Sequence, residues 1–334
     1  MLDALRKAAL GLFTWCAIAA TAHAACVGQS LVDKYRAEDP AGIEAVFALS
    51  HSVPNSTGRA WEVSRPGTPS SLLFGTFHAQ EAVETVPEPV WSRLLGARIA
   101  VFEVDLEQQD AMEARMSSDP DFVFDTNRPG LSTLIGADDY AALAEALEIR
   151  GLAPEAAEYM RPWLLTSMLG FPACHLRAMA AGAEALDTVM AKRAEAAGIP
   201  VAGLETYEDA IAAFQRIDQT LLIKAIGSAG QMADVEEDLF RTNTALYAQG
   251  ETVAINEFAI WLSDRLDPET DARALNRSVM AEILDARNIA WMDTLEGFLS
   301  EGNAFIGVGA LHLPGEKGLI ELLRSRGYSV RRAF

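Results

Sequence analysis

Leu72-Leu73-Phe74-Gly75-Thr76-Phe77-His78 and Phe305-Ile306-Gly307-Val308-Gly309-Ala310-Leu311-His312 repeat one device near opposite ends of the chain. In each, a compact apolar run is followed by a glycine and then by a histidine three residues on. Short apolar runs closed by glycine are the pattern of strands buried on both faces. Two more such runs end on carboxylates: Ile99-Ala100-Val101-Phe102 delivers Glu103 with Asp105 close behind, and Val201-Ala202-Gly203-Leu204 delivers Glu205. Outward from these, residues 59–65 alternate as a half-buried strand and residues 97–104 follow a helix that starts near Pro89. A helix over 317–326 and a strand over 328–332 close the chain. Helical patterns fill residues 30–38 and 41–50 and most of 138–300, with breaks near Gly151, Pro154, Gly227, Gly250 and Pro268. Strands alternating with helices at both ends predict an α/β fold, with a mixed central sheet flanked by helices and a large helical insertion at about 138–300.

Composition narrows the function. The chain has 334 residues, 50% hydrophobic and 22% charged, which excludes global disorder, collagen and coiled coil. A net charge of −20 argues against nucleic acid and against electrostatic docking on anionic lipid, since both need a basic face. Residues 1–24 read as a signal peptide: Arg6 and Lys7, an apolar stretch, then Ala22-His23-Ala24 as the small-x-small cleavage pattern. No later segment is apolar enough to span a bilayer, so residues 25–334 are expected as one exported, periplasmic domain. In an oxidising compartment the two cysteines remaining after the signal, Cys26 and Cys174, predict one disulfide.

Ligands of open α/β sheets bind beyond the carboxyl ends of the strands, where residues distant in sequence meet. His78, His312, Glu103 and Glu205 would converge there, and two imidazoles with two carboxylates suit a borderline divalent metal. A carboxylate not used as a ligand would serve as general base. Each residue also has a plainer reading: a histidine past a strand is often a turn residue, and Glu205 before Thr206 resembles a helix-capping group. His51 is expected in a polar loop and His175 as a packed histidine beside Cys174. Trp163, Met168 and Phe171 are expected in the core rather than at the site.

The stretches LLFGTFH, FEVD, LDTVMAKRAEAAGIPVAGLET and FIGVGALHLPGEKGLIELLRSRGYSV, in that order, resemble the TraB/GumN family, which groups with the TIKI metalloproteases and with erythromycin-esterase and ChaN-like folds. Arg161-Pro162-Trp163 and the Arg287-Asn288 pair in LDARNIAWMDTL also fit family patterns. The resemblance implies a metal-dependent, peptidase-like hydrolase using Mn, Co or Zn, acting on a peptide or small molecule. It carries His78, His312 and Glu205 over as metal ligands and Glu103 and Arg287 as catalytic groups, Arg287 facing the developing oxyanion; the two glutamates can exchange roles. TIKI proteins are membrane-tethered, and this chain departs from them there. Two alternatives stay open: a metal-free His/Glu esterase-type hydrolase, and a non-enzymatic periplasmic binder of peptide or haem.

Overall fold

The computed structural model describes residues 26–269 and 271–334, so the expected signal peptide lies outside the described residues. Six strands form one sheet: β1 (Ala60–Ser64), β2 (Ser71–Thr76), β3 (Ile99–Phe102), β4 (Val201–Gly203), β5 (Ala304–Gly309) and β6 (Ser329–Arg332). Their order is β4-β3-β5-β2-β1-β6. The first four in that order run parallel, whereas β1 is antiparallel to both β2 and β6, so the sheet is mixed as expected.

The burial of the strands follows their side-chain pattern. Every residue of β2 is buried, as continuous apolar runs in a parallel sheet covered on both faces must be. Alternation along the strands divides the core in two. Leu72, Phe74, Ala100, Phe102 and Phe305 face one layer, where helices Pro40–His51, Leu186–Ala196 and Thr252–Leu266 pack. Leu73, Val101, Ile306 and Val308 face the other, against helices Arg287–Ser300 and Leu319–Ser325. A separate cluster around Leu131, Leu143, Leu165 and Ile226 holds the helical middle together. At 2% exposure or less in each case, Phe74, Phe102 and Phe305 need bare neighbours; a Cβ on Gly307 would come within 2.7 Å of the Phe102 ring.

The expected bridge is present: Cys26 and Cys174 form a disulfide across a sequence separation of 148. It ties the start of the described chain to the Ala173–Ala180 helix and packs against Ala79 and Phe77, beside His78, and against Phe171. Among the described residues, no helix is long and apolar enough to cross a membrane. His51 is not in a loop as expected. It ends the Pro40–His51 helix, where its Nε2 lies 2.8 Å from Glu251. His175 is buried as expected, stacked on Phe171 at 4.6 Å, and burial lowers its pKa.

Candidate active site at the strand rim

The four parallel strands bring the four sequence-nominated residues to one rim. His78, Glu103, Glu205 and His312 lie two, one, two and three residues beyond the ends of β2, β3, β4 and β5. Backbone pairing continues past the strands: the Leu204 and Glu205 amides both donate to the Glu103 carbonyl, at 3.0 Å each, which sets the two glutamates side by side. Thr76 is paired with Gly309 in the β2–β5 register. A Cβ placed on Gly309 would stand 3.2 Å from Glu103 Oε1, 3.5 Å from His312 Cδ2 and 3.9 Å from His78 Nε2. The missing side chain thus leaves a notch ringed by one carboxylate and two imidazoles.

Each of the three has a defined support. The Gly309 amide donates to Glu103 Oε1 at 2.6 Å, and Arg287 Nη2 donates to Oε2 at 2.7 Å. Burial pushes the Glu103 carboxyl up, but the His312, Arg287 and His78 groups together with the Gly309 amide outweigh it and hold Glu103 ionised, well below the usual range. His312 is 3% exposed, and its Nδ1 lies 2.7 Å from Asn288 Oδ1. The Asn288 amide nitrogen donates to the His312 and Lys317 carbonyls, which fixes its oxygen toward the ring. Nδ1 therefore carries the proton, and the Nε2 lone pair faces Glu103 and Arg287. Burial keeps this imidazole neutral, with its pKa down at about 4. His78 pairs through Nδ1 with Asp187 Oδ1 at 3.1 Å, and that carboxylate raises its pKa to about 9 against the opposing effect of burial. The His78 side chain is still 52% open to the cleft, so water screens the pair.

Arg287 is the hub. It is 8% exposed, stacks over Trp291 at 4.7 Å, and bridges the two glutamates. Its Nε donates to Glu205 Oε1 at 2.8 Å, and Trp291 Nε1 takes the other Glu205 oxygen at 2.9 Å. Burial raises the Glu205 pKa, against those hydrogen bonds. Glu205 is no helix cap, because Thr206 and Asp209 form the capping box of the next helix. Nor does Arg287 pair with its sequence neighbours Asp285 and Asp293, which bond Lys317 and Arg326. A π-helical turn over Met280–Ala286 leads into Arg287, whose Nη1 reaches back to the Ile283 carbonyl at 3.1 Å.

These side chains floor a cleft of about 630 Å³. Glu103, His78, His312 and Arg287 line it, and Glu205 stands behind Arg287. Trp163 is buried with Tyr207 and Ile211 as expected, but it and Phe171 also line the cleft; Met168 packs into the helical cluster as expected. Of the groups that orient the two histidines, Asp187 was not singled out from sequence, and Asn288 was named only as part of the Arg287-Asn288 pair, without a role. Both lie in the stretches that carry the family resemblance, and Asn288 directly follows Arg287.

As a donor set for a divalent ion, the Gly309 notch offers the His312 lone pair, the His78 Nε2 edge and the ionised Glu103, with Asn288 and Asp187 as the outer partners that metal-bound histidines commonly have. These residue types are ones that borderline divalent ions take as ligands. Glu205 fits less well, since it does not line the cleft and is engaged by Arg287 and Trp291. Among the described residues, no group of three or more His, Cys, Asp or Glu side chains is placed to hold a metal ion. No curated protein and no solved structure matches the chain significantly. The TraB/PrgY/gumN family profile, by contrast, matches residues 60–332, a span that holds the whole sheet and every residue of the notch, and the chain belongs to that family.

Proposed function

We propose that the chain is an exported hydrolase of peptidase type whose chemistry is centred on the Gly309 notch. The observation that carries this reading is the convergence of an ionised carboxylate, a neutral imidazole with a fixed lone pair and a half-open imidazole on one point of a cleft floor. His78, His312 and Glu103 would hold a divalent ion such as Mn, Co or Zn, which when bound supplies Lewis acidity and acidifies a water. This assignment departs from the sequence-based roles of the glutamates: Glu103, which faces the cleft, keeps its catalytic role and takes the ligand place as well, and Glu205, expected as a ligand, positions Arg287. Glu103 accepts the proton of the attacking water, which adds to the substrate carbonyl; the carbon–nitrogen bond then breaks and the amine leaves with that proton. Arg287 holds positive charge beside the notch, where an oxyanion develops. The Cys26–Cys174 disulfide supports export, because such bonds persist in oxidising compartments.

A second reading has its own observation. The Arg287 guanidinium already touches Glu103 and lies 3.4 Å from His312 Nε2, so a cation is built into the cluster. Water could then be activated by the glutamate and histidine alone, as in esterase-type chemistry. Turnover of a peptide library with added Mn or Co, in wild type beside His78→Ala and His312→Ala, tests both. Loss in both variants and in excess chelator supports the metal site. Activity that survives chelator but is lost in the variants supports the metal-free route, and full turnover in either folded variant removes the notch from the chemistry.

A further inference from the structure

We infer that the cleft selects a bulky, neutral, apolar side chain beside the bond to be cleaved; this deepens the hydrolase reading above and rests on it for the cleavage step. Charge in the cleft is confined to the floor. Apart from His78, Glu103, Arg287 and His312, the lining holds no acidic, basic or histidine residue among the described residues, although the protein carries a net charge of −20. The acidic surface therefore does not reach the binding space, and a cationic substrate would gain nothing from it there. The wall is apolar and comes from separate helices. Met112 and Met116 stand one turn apart on Leu106–Ser118, Trp163 and Leu164 open Pro162–Leu169, and Ile211 and Phe214 lie on Tyr207–Arg216. The π-helical turn that delivers Arg287 adds Ile283 and Leu284.

A cleft of about 630 Å³ is larger than one water-bridged catalytic pocket needs and falls within the range of sites that enclose a small organic group. Apolar walls reject charge strongly, because a charge brought into them loses its hydration without a partner. Two methionines on one helix face supply adaptable contact, so aromatic and branched aliphatic groups should both fit. Two of the lining residues also carry a buried polar atom. Thr76 Oγ1, opposite Gly309, and Trp163 Nε1 have no hydrogen-bond partner among the described residues, and both residues line the cleft.

The test is a peptide library randomised at each position around the cleavage site, supplied with Mn or Co. The expected result is cleavage next to Phe, Leu, Met or Trp, with kcat/KM about 100-fold or more above that for Lys, Arg, Asp or Glu at the same position. Met112→Lys, on a helix with no buried residue, should lower kcat/KM for the Phe peptide by about tenfold or more while the fold is kept. Cleavage with no apolar preference, or with a preference for charge, would overturn the inference and leave the hydrolase reading standing. If no peptide is cleaved, that reading fails and the cleft is tested by titrating N-acetyl-phenylalaninamide into wild type and Met112→Lys. Saturable binding that the variant weakens upholds the apolar cleft, and equal or absent binding in both overturns it.

Discussion

Gly309→Ala separates chemistry from stability more cleanly than removal of any ligand. Gly309 has φ −51° and ψ 136°, a conformation open to any L residue, so the backbone need not move. Gly→Ala at such a position restricts the unfolded chain and stabilises by about 0.4–1 kcal/mol. Against this stands one tight approach, 3.2 Å to Glu103 Oε1, with the other neighbours at ordinary contact distances. The two effects nearly cancel, so the melting temperature should move by no more than about 3 °C. The new methyl, however, fills the notch that Glu103, His78 and His312 surround, and reacting atoms displaced by about 1 Å cost on the order of 100-fold in rate. The paired assay is thermal unfolding by circular dichroism with peptide turnover on the same preparation. Gly307→Ala is the control: its Cβ would lie 2.7 Å from the rigid Phe102 ring, away from the notch, and overpacking of that kind costs about 1–3 kcal/mol. A folded Gly309→Ala protein that turns over within about threefold of wild type would refute the notch as the reaction centre.

Arg287→Met leaves the Glu103 and Glu205 carboxylates, 16% and 7% exposed, without their shared cation. Urea unfolding should show a loss of about 3–5 kcal/mol, partly recovered when Glu205→Gln is added. In the metal-stripped protein the pH profile of stability should be domed. His312, with its folded pKa lowered from 6.5 to about 4, stabilises above pH 6.5 and loses that contribution, about 3 kcal/mol in order of magnitude, as pH falls through 4; the lowered Glu103 pKa acts in the same direction. His78, raised to about 9, stabilises below pH 6.5 and loses its smaller, solvent-screened share as pH rises through 9, so His78→Asn should flatten chiefly the alkaline limb. Cys26→Ser opens a loop spanning 148 residues, for which loop-closure entropy sets a loss of up to about 5 kcal/mol, and reduction of the wild type should give the same shift in urea midpoint.

The strand rim was legible in the sequence because buried parallel strands advertise themselves as short apolar runs, and the residue that follows such a run is at the rim by construction. His78, Glu103, Glu205 and His312 all met that condition, and the four strands proved to be neighbours. Their order was not readable: nothing local tells β3 to pair with β5 and β4 rather than with β2. The cleft was missed for a related reason. An apolar helix face identifies what avoids water, and Trp163 and Phe171 look alike in sequence whether they meet a neighbouring side chain or a void. Glu103 and Glu205 could not be told apart because both follow strands; the difference lies in Arg287 and Trp291, which arrive more than 80 residues later to occupy Glu205. The π-helical turn before Arg287 has no hydrophobic period of its own and so leaves no mark in the sequence.

The most direct test of the account is the metal content of protein reconstituted with Mn, measured by elemental mass spectrometry across wild type, His78→Ala, His312→Ala, Glu103→Gln and Glu205→Gln. The account predicts near-stoichiometric metal in wild type, its loss in the two histidine variants and Glu103→Gln, and its retention in Glu205→Gln, whose carboxylate serves Arg287. A folded wild type that binds no metal, or metal retained by Glu103→Gln and lost from Glu205→Gln, would contradict it.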